Sequence, residues 1–140
     1  MNGNLQLGTG NWKLLSMLRT IIIDDESHNR DTLRKLLARH CPQVIVIGEA
    51  SGVGEGIRTI KKLHPDLVIL DINLEDGTGL EMLKSIDTIN FKIIFISAFG
   101  KDTIRSIRLS NLEYLTKPVN PVELIKAVKH SEKQSAIPNP

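Results

Sequence analysis

A doubly wound α/β sandwich built on a five-stranded parallel sheet is predicted by three features of the sequence. Short apolar runs recur along the chain, stripes with helical spacing separate them, and polar residues stand where the runs end. The runs are residues 20–23 (TIII), 44–47 (VIVI), 67–70 (LVIL), 93–96 (IIFI) and 112–115 (LEYL). They are rich in β-branched residues and mostly lack polar alternation, as expected of strands covered on both faces. Crossovers between parallel strands are right-handed, which places helices on both sides of the sheet.

Each run is followed by a helical stripe. Leu33, Leu36, Leu37 and His40 keep the spacing of one helix face, as do Val53, Ile57, Ile60 and His64, and Leu80, Leu83 and Ile86 make a third. Ile104 and Ile107 predict a weaker fourth helix, with Leu109 off the ideal spacing. Val122, Leu124, Ile125 and Val128 predict a fifth. The glycines of SGVGEG (Gly52, Gly54, Gly56) lack the lysine of a phosphate-binding loop and the dinucleotide spacing, so they read as a helix entry.

Composition bounds the classes of function. A chain of 140 residues with 41% hydrophobic content buries one core of useful size. Eighteen basic and sixteen acidic residues leave a charge of +2, too balanced to imply binding of nucleic acid or membrane by field alone. A single cysteine, Cys41, fits a reducing compartment, so a cytoplasmic location is expected. Apolar runs of four or five residues are far too short to cross a membrane. The histidines at 28, 40, 64 and 130 show no metal-ligand spacing. Residues 1–16 read as a leader preceding a start at Met17, or else as a short extension docking Trp12, Leu14 and Leu15. Residues 17–131 form the expected domain and 132–140, with two prolines, a linker-like tail.

The ends of the runs carry the chemistry. The first ends in Asp24-Asp25-Glu26, the third in Asp71, the fourth in Ser97 and the fifth in Thr116-Lys117-Pro118. In a parallel sheet these positions share the carboxyl edge, where open α/β folds bind ligands. Three carboxylates gathered over an apolar sheet are costly without a charged ligand. Hard oxygen donors suit Mg²⁺, and a nearby lysine and hydroxyl suit phosphoryl oxygens, so phosphoryl transfer to a carboxylate is the chemistry suggested. Taken singly, Asp24 and Asp25 also fit a helix cap, Asp71 a turn, Ser97 a strand end, Lys117 a solvated surface and Tyr114 a core filler.

The ordered set IIIDDE, LVILDINLEDGTG, FISA and YLTKP, within residues 17–131, resembles the receiver domains of two-component response regulators. That resemblance implies a flavodoxin-like (βα)5 fold with Asp71 as phosphoacceptor, served by a sensor histidine kinase. It implies Mg²⁺ held directly by Asp25, mainly through water by Asp24, and also by Asp71 and the backbone carbonyl of Asn73. Lys117 would pair with a phosphoryl oxygen, Ser97 would supply a hydroxyl that moves onto the phosphoryl group, and Tyr114 matches the switch aromatic. Asn73 and Phe99 would tune the lifetime of the phosphoryl group. The bond before Pro118 is often cis in this family. Enzymatic activity would be limited to self-phosphorylation from a phosphodonor and autodephosphorylation.

A C-terminal output domain beyond this chain is expected after the linker-like tail, the balanced charge implies no direct nucleic-acid binding by the domain itself, and homodimerisation on phosphorylation is expected through the fourth helix, fifth strand and fifth helix. That face would carry Lys101, Arg105, Arg108, Glu113, Glu123 and Lys126. One departure is Leu74-Glu75, where many receivers have Met-Pro; DINLEDGTGLEML looks instead like receivers joined to LytTR-type DNA-binding domains. Two other classes stay open. An aspartyl-phosphate phosphatase would need a second aspartate where Asn73 stands, and a receiver-like binding module that is never phosphorylated would not need Asp25, Asp71 and Lys117 together.

Overall fold

The structure is a computed structural model that describes residues 17–98 and 112–135. Its elements run β1 (Leu18–Ile23), α1 (Ser27–His40), β2 (Val44–Ala50), α2 (Val53–Leu63), β3 (Leu67–Asp71), β4 (Asn73–Leu74), β5 (Gly77–Thr78), α3 (Gly79–Lys84), β6 (Lys92–Ser97), β7 (Leu112–Thr116) and α4 (Pro121–Ser135). Five strands form one parallel sheet in the order β2-β1-β3-β6-β7. The predicted sheet is therefore present.

Uniformly apolar runs still obey the two-residue period of a strand. Ile21, Ile23, Val68, Leu70, Ile93 and Phe95 pack on one face with Ile60 of α2 and Met82 and Leu83 of α3. Ile22, Leu67, Ile69, Ile94 and Ile96 pack on the other with Leu33 and Leu37 of α1 and Leu124 and Val128 of α4. Both faces of the central strands are dry over residues 21–23, 67–70 and 93–96, which is why no polar residue interrupts those runs.

The order of strands positions the site. From β1 the chain moves outward to β2, then returns across β1 to β3 and continues to β6 and β7. β1 and β3 thus flank the point where the winding reverses, with Ile23 paired to Leu70. Asp24 follows the first and Asp71 ends the second, so the register alone brings them to adjacent places on the carboxyl edge.

Three features depart from the predicted elements. A two-residue antiparallel ladder, β4 with β5, follows β3; segments this short carry no period and leave no sequence signal. The third helix ends at Lys84, short of the predicted stripe, although Ile86 still packs against the core. The last helix runs on to Ser135, where Ser131 donates to the Ala127 carbonyl and Glu132 accepts from Gln43. The predicted fourth helix, with Ile104, Ile107 and Leu109, lies outside the described residues, as do Phe99, Lys101, Arg105 and Arg108.

The turn into α3 is built for close approach. Gly77 sits at φ +149, and a Cβ on Gly79 would come within 2.9 Å of the Asp71 carbonyl oxygen. Thr78 and Glu81 form a reciprocal capping box at the start of α3. Asp71 is thereby followed at once by a fixed loop.

Candidate acidic site at the carboxyl edge

Asp24 and Asp71 are each 5% exposed, and Asp25 is half-buried. The three present carboxylate oxygens within 4.8 Å of one another. Lys117, after β7, donates from Nζ to Asp71 Oδ2 at 2.8 Å and lies 3.2 Å from Asp24 Oδ2. The other oxygens are held by backbone. The Asn73 amide donates to Asp71 Oδ1 at 3.1 Å and the Glu26 amide to Asp24 Oδ1 at 2.9 Å. Both carboxylates are oriented within their own short turns.

Ser97 is fully buried at the end of β6, and its carbonyl accepts from the Lys117 amide at 2.9 Å. The Lys117–Pro118 bond is cis, as the resemblance implied. Ser97 and Thr116 are partners in the β6–β7 register, and Asp71 pairs with Ile96, so the Asp71 carboxylate, the Ser97 hydroxyl and the Lys117 ammonium come from three neighbouring strands. A pocket of about 310 Å³ opens here, lined by Asp25, Glu26, Asp71, Asn73, Glu75, Ala98 and Lys117.

Burial pushes the Asp71 carboxyl above its ordinary range, against the Lys117 and Asn73 bonds that pull it down, and the Asp24 charge adds to the rise. For Lys117 burial acts to lower the pKa, but the bond and charge of Asp71, with Asp24 behind them, carry it above the usual lysine value. Three carboxylates against one ammonium leave the site short of positive charge. The donors are hard oxygens grouped around one point, a set that fits a hard divalent cation, Mg²⁺ in particular, and fits no thiophilic metal.

The structure thus brings together Asp25, Asp71, Asn73 and Lys117 around one pocket, with Asp24 joined to them through Lys117 and the carboxylate cluster and Ser97 at the end of the adjoining strand. Tyr114 is partly buried and packs against the α2–α3 side of the core. Phe99 lies outside the described residues. Asp24 and Asp25 do not cap α1, whose N-cap is Glu26 with no side-chain cap bond.

Several supporting residues went unread in the sequence. Arg30 donates to the Asp24 carbonyl at 2.6 Å and to Glu49 at 3.0 Å, and Arg34 pairs with the same Glu49, tying α1 and β2 to the turn that carries Asp24. Glu26 and Glu75 line the pocket, and Asp76 caps α2. The bonds from Arg30 and Arg34 to Glu49 and from the α2 amides to Asp76 leave no local motif, because each joins partners from different elements. Glu49 lies nineteen residues from Arg30.

Comparison with known proteins places the sequence and the fold in one family. Residues 20–129 match the family described as the response regulator receiver domain. An uncharacterised response regulatory protein of Vibrio parahaemolyticus is 38% identical over 125 residues, covering 86% of this chain and 51% of that protein. The sensory transduction protein LytT of Bacillus anthracis is 32% identical over 84% of this chain and 48% of its own length. The chain spans about half the length of these curated relatives. Among solved structures, a two-component response regulator of the LuxR family from Aurantimonas sp. superposes with a TM-score of 0.74 at 25% identity, over 84% of this chain and 86% of that one. The signal receiver domain of NarL from Mycobacterium tuberculosis, 24% identical over 84% of this chain and 97% of that one, shares the fold with a TM-score of 0.71. By sequence and by fold, the chain belongs to the response regulator receiver domain family of two-component systems.

Proposed function

We propose that this chain is a phosphoacceptor switch in which Asp71 receives a phosphoryl group from the phosphohistidine of a sensor histidine kinase. The observation that carries this reading is the Asp71 carboxylate, held by the Asn73 amide and Lys117 at the mouth of an acidic pocket. In the transfer, a carboxylate oxygen of Asp71 attacks phosphorus, the phosphorus–nitrogen bond of the donor breaks, and the imidazole leaves with its electron pair. Lys117 meets the charge on the phosphoryl oxygens. Asp24, Asp25, Asp71 and the Asn73 carbonyl would hold Mg²⁺, which when bound supplies positive charge to the transferring group. The chain's own chemistry is confined to uptake from a phosphodonor and slow loss to water, tuned by Asn73 and Phe99. Asn73 presents an amide where a phosphatase of the aspartyl-phosphate type needs an acid, so turnover is not favoured. Its place is the cytoplasm, with an output domain of the LytTR type beyond this chain.

The test is direct. Incubation with acetyl phosphate and Mg²⁺ is expected to add one phosphoryl group by intact mass, and chelation of the metal is expected to prevent it. No uptake at millimolar Mg²⁺ would contradict the reading.

The metal has its own signature. Because a cation relieves repulsion among Asp24, Asp25 and Asp71, the melting temperature of the parent is expected to rise as Mg²⁺ is added. Asp25→Asn is expected to bind Mg²⁺ at least tenfold more weakly while melting higher than the parent without metal, since one like charge is gone. A melting curve indifferent to millimolar Mg²⁺ would count against the site.

Switching is expected to pass through Ser97 and Tyr114 to the face of β7 and α4, where Glu113, Glu123 and Lys126 lie, with Lys101, Arg105 and Arg108 beyond the described residues. The beryllofluoride adduct is expected to self-associate more than the free chain, by a modest shift in light scattering. Ser97→Ala is expected to accept phosphate and lose most of that shift; an undiminished shift would remove Ser97 from the path.

A further inference from the structure

The hairpin of β4 and β5 stands beside Asp71, and its tip is held from outside. Asp76 reaches to the start of α2, where Oδ1 accepts from the Val53 amide at 2.8 Å and Oδ2 from the Gly54 amide at 3.4 Å. These are the first two amides of a helix, which have no partner within it, and the N-cap Gly52 has no side chain to serve them. The amide bonds, Val53 foremost, hold the Asp76 carboxyl below the usual carboxylate range, so it stays ionised.

The fit is reciprocal. A Cβ on Gly52 would lie 2.8 and 2.9 Å from the two Asp76 oxygens, closer than such atoms approach. The bare glycine leaves the room that the carboxylate fills. A ladder of two residues per strand is too short to hold itself, so the hairpin depends on Leu74 in the core, on its ends and on its tip. One end is fixed by the Gly79 amide on the Ile72 carbonyl at 2.7 Å. The tip is fixed by Asp76. Its neighbours on the site side are Asn73, whose amide bonds Asp71, and Glu75 on the pocket rim.

We propose that Asp76 is a positioning residue for the acceptor site: by capping α2 it pins the hairpin tip, and through the hairpin it fixes the Asn73 backbone and the Glu75 carboxylate over Asp71. The proposal rests on Asp71 being the acceptor and names what holds its loop in place. Freed at the tip, the hairpin opens the pocket to water and displaces the Asn73 carbonyl.

Three variants of the whole chain test it. Asp76→Ala is expected to weaken Mg²⁺ binding about tenfold, the size of effect seen when support behind a ligand is lost. It is also expected to shorten the phosphoryl lifetime several-fold and speed hydrogen exchange of the amides of residues 73–78. Asp76→Asn keeps an oxygen for the Val53 amide and is expected to behave close to the parent. Gly52→Ala, which expels the carboxylate without changing any residue of the hairpin, is expected to reproduce Asp76→Ala, and the double variant to be no worse than either. A lower melting temperature with unchanged Mg²⁺ affinity and lifetime would overturn positioning and leave only a helix cap. Equal loss in Asp76→Asn and Asp76→Ala would overturn it too. If the parent takes up no phosphoryl group, the acceptor reading fails; Mg²⁺ affinity and hydrogen exchange still decide for or against the tether.

Discussion

Asp71→Asn is expected to abolish phosphoryl uptake and, in the same sample, to raise the melting temperature of the metal-free chain. Both effects have one cause. The Asp71 carboxylate sits almost fully buried beside Asp24 and Asp25, and burial raises its pKa despite the bonds from Lys117 and Asn73. A carboxyl whose folded pKa lies above its unfolded value favours the unfolded state once ionised. The metal-free parent should therefore lose stability as pH rises from the ordinary carboxylate range through the raised value. An amide of the same shape keeps an oxygen for the Asn73 amide and sheds the charge. Lys117 retains Asp24 at 3.2 Å. Taking one like charge out of a cluster of three carboxylates and one ammonium is expected to stabilise by about 1 kcal/mol, and each kcal/mol is worth roughly 3–6 °C in a domain of this size. Melting of the two proteins between acidic and neutral pH checks this: the curves should converge on acidification. A variant less stable than the parent at neutral pH would mean that the Lys117 bond outweighs burial.

Lys117→Ala is expected to act in the opposite sense on stability and in the same sense on uptake. It removes the ammonium that pairs with both Asp71 and Asp24 and leaves two carboxylates, 6% and 7% exposed at their side chains, without it. Breaking a buried pair costs about 3–5 kcal/mol when no relief is at hand. Lys117 is itself a quarter exposed and Asp71 can take up a proton, so about 2 kcal/mol is expected at neutral pH. The folded lysine pKa is raised, so its stabilisation is complete below the ordinary lysine value and is lost as pH climbs through the folded value. On the acid side the penalty of the variant should fade as the carboxylates protonate, and Mg²⁺ should rescue part of it. Uptake from acetyl phosphate is expected to slow about 100-fold, the usual effect of losing one donor to a developing charge. Uptake at the parent rate would take Lys117 out of the transfer.

How far the sequence was legible depends on the range of each interaction. The sheet was legible because both faces of its central strands are dry, so Ile21 to Ile23 and Leu67 to Leu70 had to be apolar throughout. Asp24, Asp71, Ser97 and Lys117 were legible because each directly follows or ends such a run, and parallel strands gather their ends on one edge. Leu74 illustrates a departure the structure explains: it is 8% exposed and joins the core, filling an apolar place, while Glu75 turns outward to the pocket rim. The hairpin was not legible, since two-residue strands show no period. Nor were its tether and the Arg30–Glu49–Arg34 group, whose members meet only after α1, β2 and α2 have packed. Ile86 kept helical spacing beyond the end of α3 because it packs on the same core from a turn.

The most direct measurement is the location of the covalent bond. The parent, treated with acetyl phosphate and Mg²⁺, is reduced with borohydride, which converts an acyl phosphate to the alcohol, and its peptides are sequenced by mass. Homoserine at position 71 alone is the predicted result. Homoserine at position 24 or 25, or a phosphoryl group that survives reduction as a serine or threonine ester, would contradict Asp71 as the acceptor.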